Sequence, residues 1–502
     1  MNSLYSLINR LVEISIDNKL IGFLDEIYVR NRILFMFNEN DFLENSKLST
    51  NFSETLEQLT DIAVEKEIIN NYLYERDIFS SNLMNCFLDK PSVINKNFYE
   101  LYKSSPTSAT DYFYNLSKNS NYIKMDRIAK NSFFKTPSIY GDIDVAINLS
   151  KPEKDPNQIA LEKTIVGGNY PKCLLCKENE GYSGTVTNPD RGNHRTILLN
   201  INNKNWRLQY SPYVYYNEHC IVLLDEHEPM NISKETFRTL LSFVEVFPHY
   251  FLGSNAGLPI VGGSILAHEH YQGGNYIFPI NRAENLFSFK VKSYENIDMS
   301  ALNWPLSTLR LKGKNIDDLV ECGSYIFETW KTYSDKERDI ISSTEGTPHN
   351  AITPICRKED EYYVMDLALR NNRTSEEFPE GIFHPHRDVQ HIKKENIGLI
   401  EVMGLAILPG RLKTELDDIK KFILSDDTNS EKPLSKVSEY HRNWAVELKE
   451  KYSSTLEINR FIEVEIGNKF IRLLEDAGVF KQTPHGIEGF KKFAHTLGAK
   501  HI

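Results

Sequence analysis

The sequence has few of the features that mark secreted, membrane-spanning or nucleic-acid-binding proteins. Cysteine is scarce, with 6 in 502 residues, and no stretch approaches the roughly 18 consecutive apolar residues of a spanning helix. The N-terminus lacks the basic start, apolar stretch and cleavage site of a signal peptide. Acidic residues outnumber basic ones by 69 to 58, for a net charge of −11, whereas nucleic-acid binding usually needs a basic face. We therefore expect a cytoplasmic protein with neither nucleic-acid nor membrane partners.

The chain does have enough apolar material for more than one core. Its 502 residues exceed one ordinary core, and 40% hydrophobic with 25% charged residues is typical of a globular protein. LYSLINRLVEI and FSETLEQLTDIAVEKEIINNYL space apolar residues three and four apart, which predicts helices. After them, strands, a helix ended by Pro248 and further strands are predicted. The same succession then follows a second time, with NIGLIEVMGLAIL as its last predicted strand.

This succession predicts an α+β fold. We place a helical N-terminal extension over residues 1–135 and a first α+β half over 136–284. A second half follows over 285–425, and a helical segment over 426–502 ends the chain.

The segment GGSILAHEHYQGG, residues 262–274, carries the clearest chemical signal. On a strand, His268, His270 and Gln272 would point to one side, because side chains alternate. Neutral imidazole is a nucleophile that needs no strong base, and an amide can donate to a phosphoryl oxygen. The glycine pairs would let backbone amides approach a phosphate. The pattern therefore favours phosphoryl transfer over a pair of core histidines.

The pair Cys173 and Cys176 has the spacing of a metal or redox site. His227 follows a predicted strand and is a candidate third ligand of a tetrahedral zinc ion. The alternatives are a reduced pair in a turn with a solvated histidine, or a redox pair. The redox reading is disfavoured, because no strand-to-helix unit surrounds the motif.

The sequence around these motifs resembles that of a known family. HxHxQ resembles the active-site motif of galactose-1-phosphate uridylyltransferases, a branch of the histidine-triad superfamily. NLSKPEKDP, YPKCLLCKENEGYSG, LPIVGGSILAHEHYQGG and KKENIGLIEVMGLAILPGRL are similar to its second, mainly bacterial class. The resemblance covers roughly residues 110–412. It implies two histidine-triad-like halves with mainly antiparallel sheets.

The resemblance also implies the reaction. The family moves UMP from UDP-glucose to galactose 1-phosphate, in the Leloir pathway of galactose metabolism, through a covalent uridylyl-histidine. His270 would be the nucleophile, Gln272 would hold the phosphoryl oxygens, and the backbone at residue 268 would fix the His270 tautomer. A structural zinc ion would be bound by Cys173, Cys176, His227 and His268.

Further substrate contacts follow from the resemblance. Lys151 and Lys154 stand where the family has phosphate-binding arginines, although they also fit a solvated basic loop. Asn255 and Ser264 would bind phosphate or ribose, and Glu401 would hold sugar hydroxyls. A second metal of some relatives is not predicted, although its ligands could match Glu284, His349, His384 and His386.

Two alternatives stay open at this stage. A nucleotidyltransferase with another acceptor, or a dinucleoside polyphosphate phosphorylase, would use the same histidine. A zinc-stabilised nucleotide-binding protein would use none of this chemistry. Family members are commonly dimers, so a homodimer is expected.

Overall fold

The computed structural model describes residues 2–43, 48–149, 168–263, 265–425 and 431–500. Two compact units divide the chain. The first contains residues 1–130, 150–214 and 218–228, and the second contains residues 131–149, 215–217 and 229–502. Each unit is therefore built from separate stretches of the chain.

The N-terminal quarter is helical, as the apolar spacing predicts. Its helices are α1 (Asn2–Asp17), α2 (Glu26–Met36), α3 (Phe52–Glu65), α4 (Leu73–Asn85), α5 (Pro91–Tyr102), α6 (Pro106–Asn119) and α7 (Met125–Ile128). The residue before α3, Asn51, accepts from the amide of Glu54, whose carboxylate accepts from the amide of Asn51. This reciprocal cap satisfies amides that the first turn leaves unpaired.

The strands follow in chain order. They are β1 (Ser132–Thr136), β2 (Ile143–Asn148), β3 (Ile197–Ile201), β4 (Lys204–Tyr210), β5 (Cys220–Leu224), β6 (Phe251–Gly253), β7 (His270–Gly274), β8 (Asn285–Val291), β9 (Asp298–Leu302), β10 (Thr308–Gly313), β11 (Ser343–Thr344), β12 (Thr347–Pro348), β13 (Asn350–Glu359), β14 (Tyr362–Asn371), β15 (Leu405–Pro409) and β16 (Ala499–Lys500).

The remaining helices lie between these strands and after them. They are α8 (Lys234–Val246), α9 (Ile316–Thr332), α10 (Leu399–Val402), α11 (Leu412–Ile423), α12 (Glu431–Ser435), α13 (Arg442–Lys451), α14 (Ile458–Ala477) and α15 (Pro484–Thr496). Among the described residues, we find no helix with the length and apolar character that a membrane crossing requires.

The first unit joins the helices to a small sheet. Leu7, Ile8 and Leu11 of α1 are almost fully buried with Leu59 of α3 in one apolar core. Strands β3, β4 and β5 form an antiparallel meander in which every second residue of β3 is buried. That alternation is the pattern of a strand with one face in the core.

The second unit contains a long antiparallel sheet. Its strands lie in the order β16, β8, β9, β10, β14, β13, β6, β7. A separate sheet pairs β2 with antiparallel β1 and parallel β15. Helices α8 and α9 pack on β13 and on each other. Mainly antiparallel sheets with helices at both ends of the chain confirm the predicted α+β class.

The predicted repetition is present in the order of elements. Three strands, a helix and two strands occur first as β3, β4, β5, α8, β6, β7. They occur again as β8, β9, β10, α9, β13, β14, with the short β11 and β12 inserted. The domain limits at 135, 284 and 425 stay a prediction.

Two sequence expectations about strands need correction. The strand expected to carry the whole HxHxQ motif begins only at His270, so His268 lies in a bend before it. The segment NIGLIEVMGLAIL does not form one strand, because Leu399–Val402 is a helical turn and only Leu405–Pro409 is extended. Glu401 accepts a hydrogen bond from the amide of Gly398, which stabilises that turn.

Candidate active site

Strand β7 holds His270 and Gln272 on one face of the long sheet. β7 pairs with β6 so that Gln272 lies opposite Gly253. Side chains two residues apart on a strand share a face, so the motif places its imidazole and its amide side by side.

The backbone of residue 268 determines the tautomer of His270. Nδ1 of His270 lies 2.8 Å from the carbonyl oxygen of His268. Because a carbonyl only accepts, Nδ1 must carry the proton and donate it, which leaves Nε2 with its lone pair. His270 is 6% exposed, and burial lowers the pKa of its imidazole. At neutral pH the ring is therefore a neutral nucleophile.

The neighbouring side chains of the motif fill the opposite face. Tyr271 is buried and donates its hydroxyl to the Glu269 carboxylate over 2.5 Å. Burial raises the pKa of Tyr271 well above its ordinary value, so the phenol stays protonated. Gln272, by contrast, is only partly buried. The extended backbone that alternates side chains between two faces covers His270–Gly274.

The glycines before the motif have a packing role that sequence reasoning did not anticipate. A Cβ on Gly262 would lie 2.3 Å from the carbonyl oxygen of Ala256, and one on Gly263 would lie 2.8 Å from Asn255 Nδ2. A side chain at either position would collide with its own neighbours. Close approach of this loop to a phosphate stays a prediction.

The CxxC segment forms a tight loop around its two sulfur atoms. The amide of Leu175 points at Cys173 Sγ over 3.4 Å, and the Asn179 side chain donates to the carbonyls of Cys173 and Cys176, each over 2.8 Å. Burial raises the pKa of Cys176 to about 11.

An ion-pair network joins this loop to the end of β5. Lys177 Nζ lies 2.6 Å from Asp225 Oδ2, and Arg207 Nε pairs with the other oxygen of the same carboxylate. Burial alone would raise the pKa of Asp225, but the two cations outweigh it and lower the pKa. His227 follows two residues later, and its Nδ1 lies 3.0 Å from Cys176 Sγ.

The four predicted zinc ligands form one cluster. One ligand atom each from Cys173, Cys176, His227 and His268 lies within 4.8 Å of the others. The two sulfur atoms are 3.5 Å apart. Two thiolates and two imidazoles are a donor set that zinc binds tetrahedrally, and these separations fit one ion among the four atoms.

The predicted substrate contacts have different outcomes. Lys151, Lys154 and Ser264 lie outside the described residues. Asn255 is buried, and its side-chain oxygen accepts from the amide of Leu399 over 2.9 Å. Glu401 is 7% exposed and pairs with Lys393 Nζ over 3.0 Å. A sugar hydroxyl would have to compete with that lysine for the carboxylate.

Sequence reasoning missed Arg370, which lies on the same face of the sheet as His270. Gln272, Gly253, Ile355 and Asp366 oppose one another in turn across β7, β6, β13 and β14. Arg370 is four residues from Asp366 and so shares that face.

Arg370 is 1% exposed. It donates to the carbonyl of Ile397 over 3.0 Å, while its Nε has no partner within the described ranges of the chain. Burial lowers its pKa to about 10. The signal in the sequence is an arginine ending the apolar strand YYVMDLALR.

The residues weighed for a second metal are placed separately. His349 contacts Asn372 and Thr344, each through one ring nitrogen at about 3 Å. His384 contacts Asn396, and His386 lies against the carboxylate of Asp476. Glu284 precedes β8, and the described residues bring it into no metal cluster with these histidines.

The sequence matches one protein family over most of its length. Family models described as the N-terminal and C-terminal domains of galactose-1-phosphate uridyl transferase match residues 19–229 and 243–446. The protein named galactose-1-phosphate uridylyltransferase from Clostridium perfringens (strain 13 / Type A) is 57% identical over 503 residues, covering 99% of this chain and 100% of that protein. Its namesake from Bacillus subtilis (strain 168) is 46% identical over 503 residues, covering 99% and 98%.

Among solved structures, yeast Ap4A phosphorylase Apa2 is similar with a TM-score of 0.34 at 12% identity. That likeness covers 64% of this chain and 90% of the yeast chain. A TM-score this low supports no conclusion about activity.

Proposed function

The chain belongs to the galactose-1-phosphate uridylyltransferase family, and from that membership we infer that it transfers UMP from UDP-glucose to galactose 1-phosphate. The products are UDP-galactose and glucose 1-phosphate. The relatives carry this activity in their names and match the chain over almost its entire length. The enzyme is therefore a nucleotidyltransferase of galactose metabolism.

The reaction proceeds in two displacements at one phosphorus atom. Nε2 of His270 attacks the α-phosphorus of UDP-glucose, and the bond to the bridging oxygen breaks. Glucose 1-phosphate leaves with the electron pair of that bond, and UMP stays bound to the histidine. A phosphate oxygen of galactose 1-phosphate then attacks the same phosphorus, and Nε2 departs with its electron pair restored.

One observation carries this assignment: the 2.8 Å contact between His270 Nδ1 and the carbonyl of His268. It keeps the proton on Nδ1 throughout both displacements, so that the attacking nitrogen needs no separate base. It also stabilises the positive charge that the ring gains when Nε2 is phosphorylated. Burial of His270 supports the intermediate, because water that would hydrolyse it is excluded.

Other residues bind and orient the substrates. Gln272 lies beside His270 and donates to an oxygen of the transferred phosphoryl group. Asn255 and Ser264 bind phosphate or ribose, and Lys151 and Lys154 contact the phosphates of the nucleotide. The carboxylate of Glu401 accepts hydrogen bonds from sugar hydroxyls. These hydrogen bonds replace part of its ion pair with Lys393.

The cysteine and histidine cluster would hold a structural zinc ion. Its ligands would be Cys173, Cys176, His227 and His268. When bound, zinc stabilises the two thiolates and fixes the backbone of residue 268, whose carbonyl orients His270. The metal takes no part in the displacement itself. A homodimer and a cytoplasmic location stay predictions from the sequence.

Isotope exchange tests the two-step reaction directly. With UDP-glucose and radiolabelled glucose 1-phosphate but no galactose 1-phosphate, the wild-type enzyme should incorporate label into UDP-glucose. His270→Ala should not, and His495→Ala, which changes an exposed histidine of α15, should match the wild type. Exchange that requires galactose 1-phosphate, or that persists in His270→Ala, would contradict the covalent route.

A further inference from the structure

A cavity with several charged side chains in its wall lies within the first unit, among residues that the uridylyl transfer does not use. It has a volume of about 160 Å³ and is lined by Asp77 of α4, by Tyr122, Lys124 and Arg127 around α7, and by Asp190 and Arg191. An adjoining cavity of about 320 Å³ shares Asp77, Lys124 and Arg127 with it. Together they offer room for a small molecule with one charged end.

Two hydrogen-bonding groups of this cavity have no partner among the residues that the structure describes. Tyr122 is 5% exposed, and its hydroxyl is buried and unpaired. Arg191 lies over the Tyr122 ring at 5.7 Å, and its Nε is also buried and unpaired. Buried polar groups in proteins are almost always hydrogen-bonded. Two unpaired donors on adjoining side chains therefore point to a ligand that accepts from both.

The charges around the cavity favour an anion. Asp77 pairs with Lys124 over 2.8 Å and with Arg127 over 2.7 Å. Lys124 also lies 3.5 Å from Asp190. Burial alone would raise the pKa of Asp77, but the two cations outweigh it and lower the pKa. By formal charge, three cations and two carboxylates line the cavity, which leaves one positive charge in excess in a chain whose net charge is −11.

We propose that this cavity binds the phosphate group of a small phosphorylated metabolite, at a site separate from the histidine strand. The hydroxyl of Tyr122, the guanidinium of Arg191 and the ammonium of Lys124 supply donors from three side chains. A phosphate offers several acceptor oxygens in a tetrahedral arrangement, whereas a carboxylate offers two in a plane. The adjoining cavity, with Thr60 and Lys130 in its wall, takes the organic part.

Such a ligand would connect three segments of the first unit. Asp77 belongs to α4, Lys124 immediately precedes α7, and Arg191 lies six residues before the start of β3. The ligand would be held by groups from the helical extension and from the loop that leads to the small sheet. Binding should therefore stabilise this unit and raise its unfolding temperature.

Equilibrium dialysis with radiolabelled inorganic phosphate tests the site on the zinc-loaded enzyme. The variants are Tyr122→Phe and Arg191→Gln, which remove one unpaired donor each. The matched control is the pair Tyr28→Phe and Arg32→Gln, because Arg32 lies over the exposed Tyr28 ring at 5.9 Å. Phosphate bound at the active site contributes equally to all of these proteins, so the differences report on the cavity alone.

The expected result is that each cavity variant binds one phosphate fewer per chain, or binds it at least about tenfold more weakly, while the control matches the wild type. Glucose 1-phosphate should raise the unfolding temperature of the control more than that of the cavity variants. Unchanged phosphate binding in both cavity variants would overturn the proposal, and so would a wild type that binds no phosphate beyond the active site.

Discussion

Strands β7 and β14 end the two copies of the same order of elements, yet their polar side chains are used differently. β7 carries His270, whose Nδ1 is held by a backbone carbonyl. β14 carries Asp366, which is fully buried and receives three hydrogen bonds from Arg310 and Arg357. The first copy therefore keeps one ring nitrogen of its histidine available to react. In the second copy, the polar groups are paired with one another and stabilise the sheet.

The reason lies in how each group is satisfied. Asp366 is bound by two guanidinium groups, which outweigh the effect of burial and lower its pKa. Both oxygens of this carboxylate already accept hydrogen bonds from arginines, so they are not available to bind a substrate. His270 uses one nitrogen for orientation and keeps the other for chemistry. A repeated scaffold can therefore carry one active site while its second copy supports the sheet.

The largest expected effect comes from removing the reactive atom. His270→Ala should lower kcat by about 10⁴-fold or more, the usual scale for loss of a catalytic nucleophile. The free energy of unfolding should change far less, because no ion pair is broken. Steady-state kinetics and denaturant unfolding measure the two quantities. If His270→Ala unfolded much more easily but kept measurable turnover, His270 would have a structural role like that of Asp366.

The reverse pattern is expected for the second copy. Asp366→Ala leaves Arg310 and Arg357 buried without their shared carboxylate, so it should cost about 3–5 kcal/mol of stability. As a control, Glu361→Gln removes an exposed partner of Lys314 and should cost less than about 1 kcal/mol. Urea unfolding followed by circular dichroism gives both values. Equal small losses would show that the buried network contributes little.

The amide beside the nucleophile should matter less than the nucleophile itself. Gln272→Ala removes one donor to the phosphoryl group and should lower kcat by about 10²-fold. KM for UDP-glucose should change little if the amide acts mainly on the charge that develops during transfer. Initial rates over a range of UDP-glucose concentrations separate the two constants. A change confined to KM would assign Gln272 to ground-state binding.

Loss of a predicted zinc ligand should lower zinc content and stability. Cys176→Ser should abolish stoichiometric zinc, as measured by elemental analysis, and should lower the unfolding temperature, because the loop and residue 268 lose a common anchor. The exposed Asp339→Asn should retain zinc. Full zinc content in Cys176→Ser would show that the ion is bound elsewhere or that the cluster binds none.

The smallest effect concerns pH. The pKa of Asp366 is lower in the folded protein, so its contribution to stability is complete above the unfolded value of about 3.9. That contribution is lost as the pH falls through the folded value. The stability difference between wild type and Asp366→Asn should therefore shrink in acid. A difference that stays the same from about pH 6 to about pH 3 would contradict a lowered pKa of Asp366 in the folded protein.

The sequence predicted the features that depend on local pattern. Helical spacing located α1, α3 and α8, and the motif located His270, Cys173 and Cys176. It did not predict that the strand begins only at His270, because the start of a strand depends on the neighbouring strands that pair with it. Arg370 was missed for the same reason, since its place beside Thr353 depends on the pairing of β13 with β14.

The most direct test of the central claim is intact-protein mass spectrometry after incubation with UDP-glucose and no acceptor. We predict that wild type gains one uridylyl group, that peptide mapping places it on His270, and that galactose 1-phosphate discharges it as UDP-galactose. His270→Ala should gain none. A folded wild type that binds UDP-glucose but forms no adduct, or forms one on another residue, would contradict the assignment of His270 as the nucleophile.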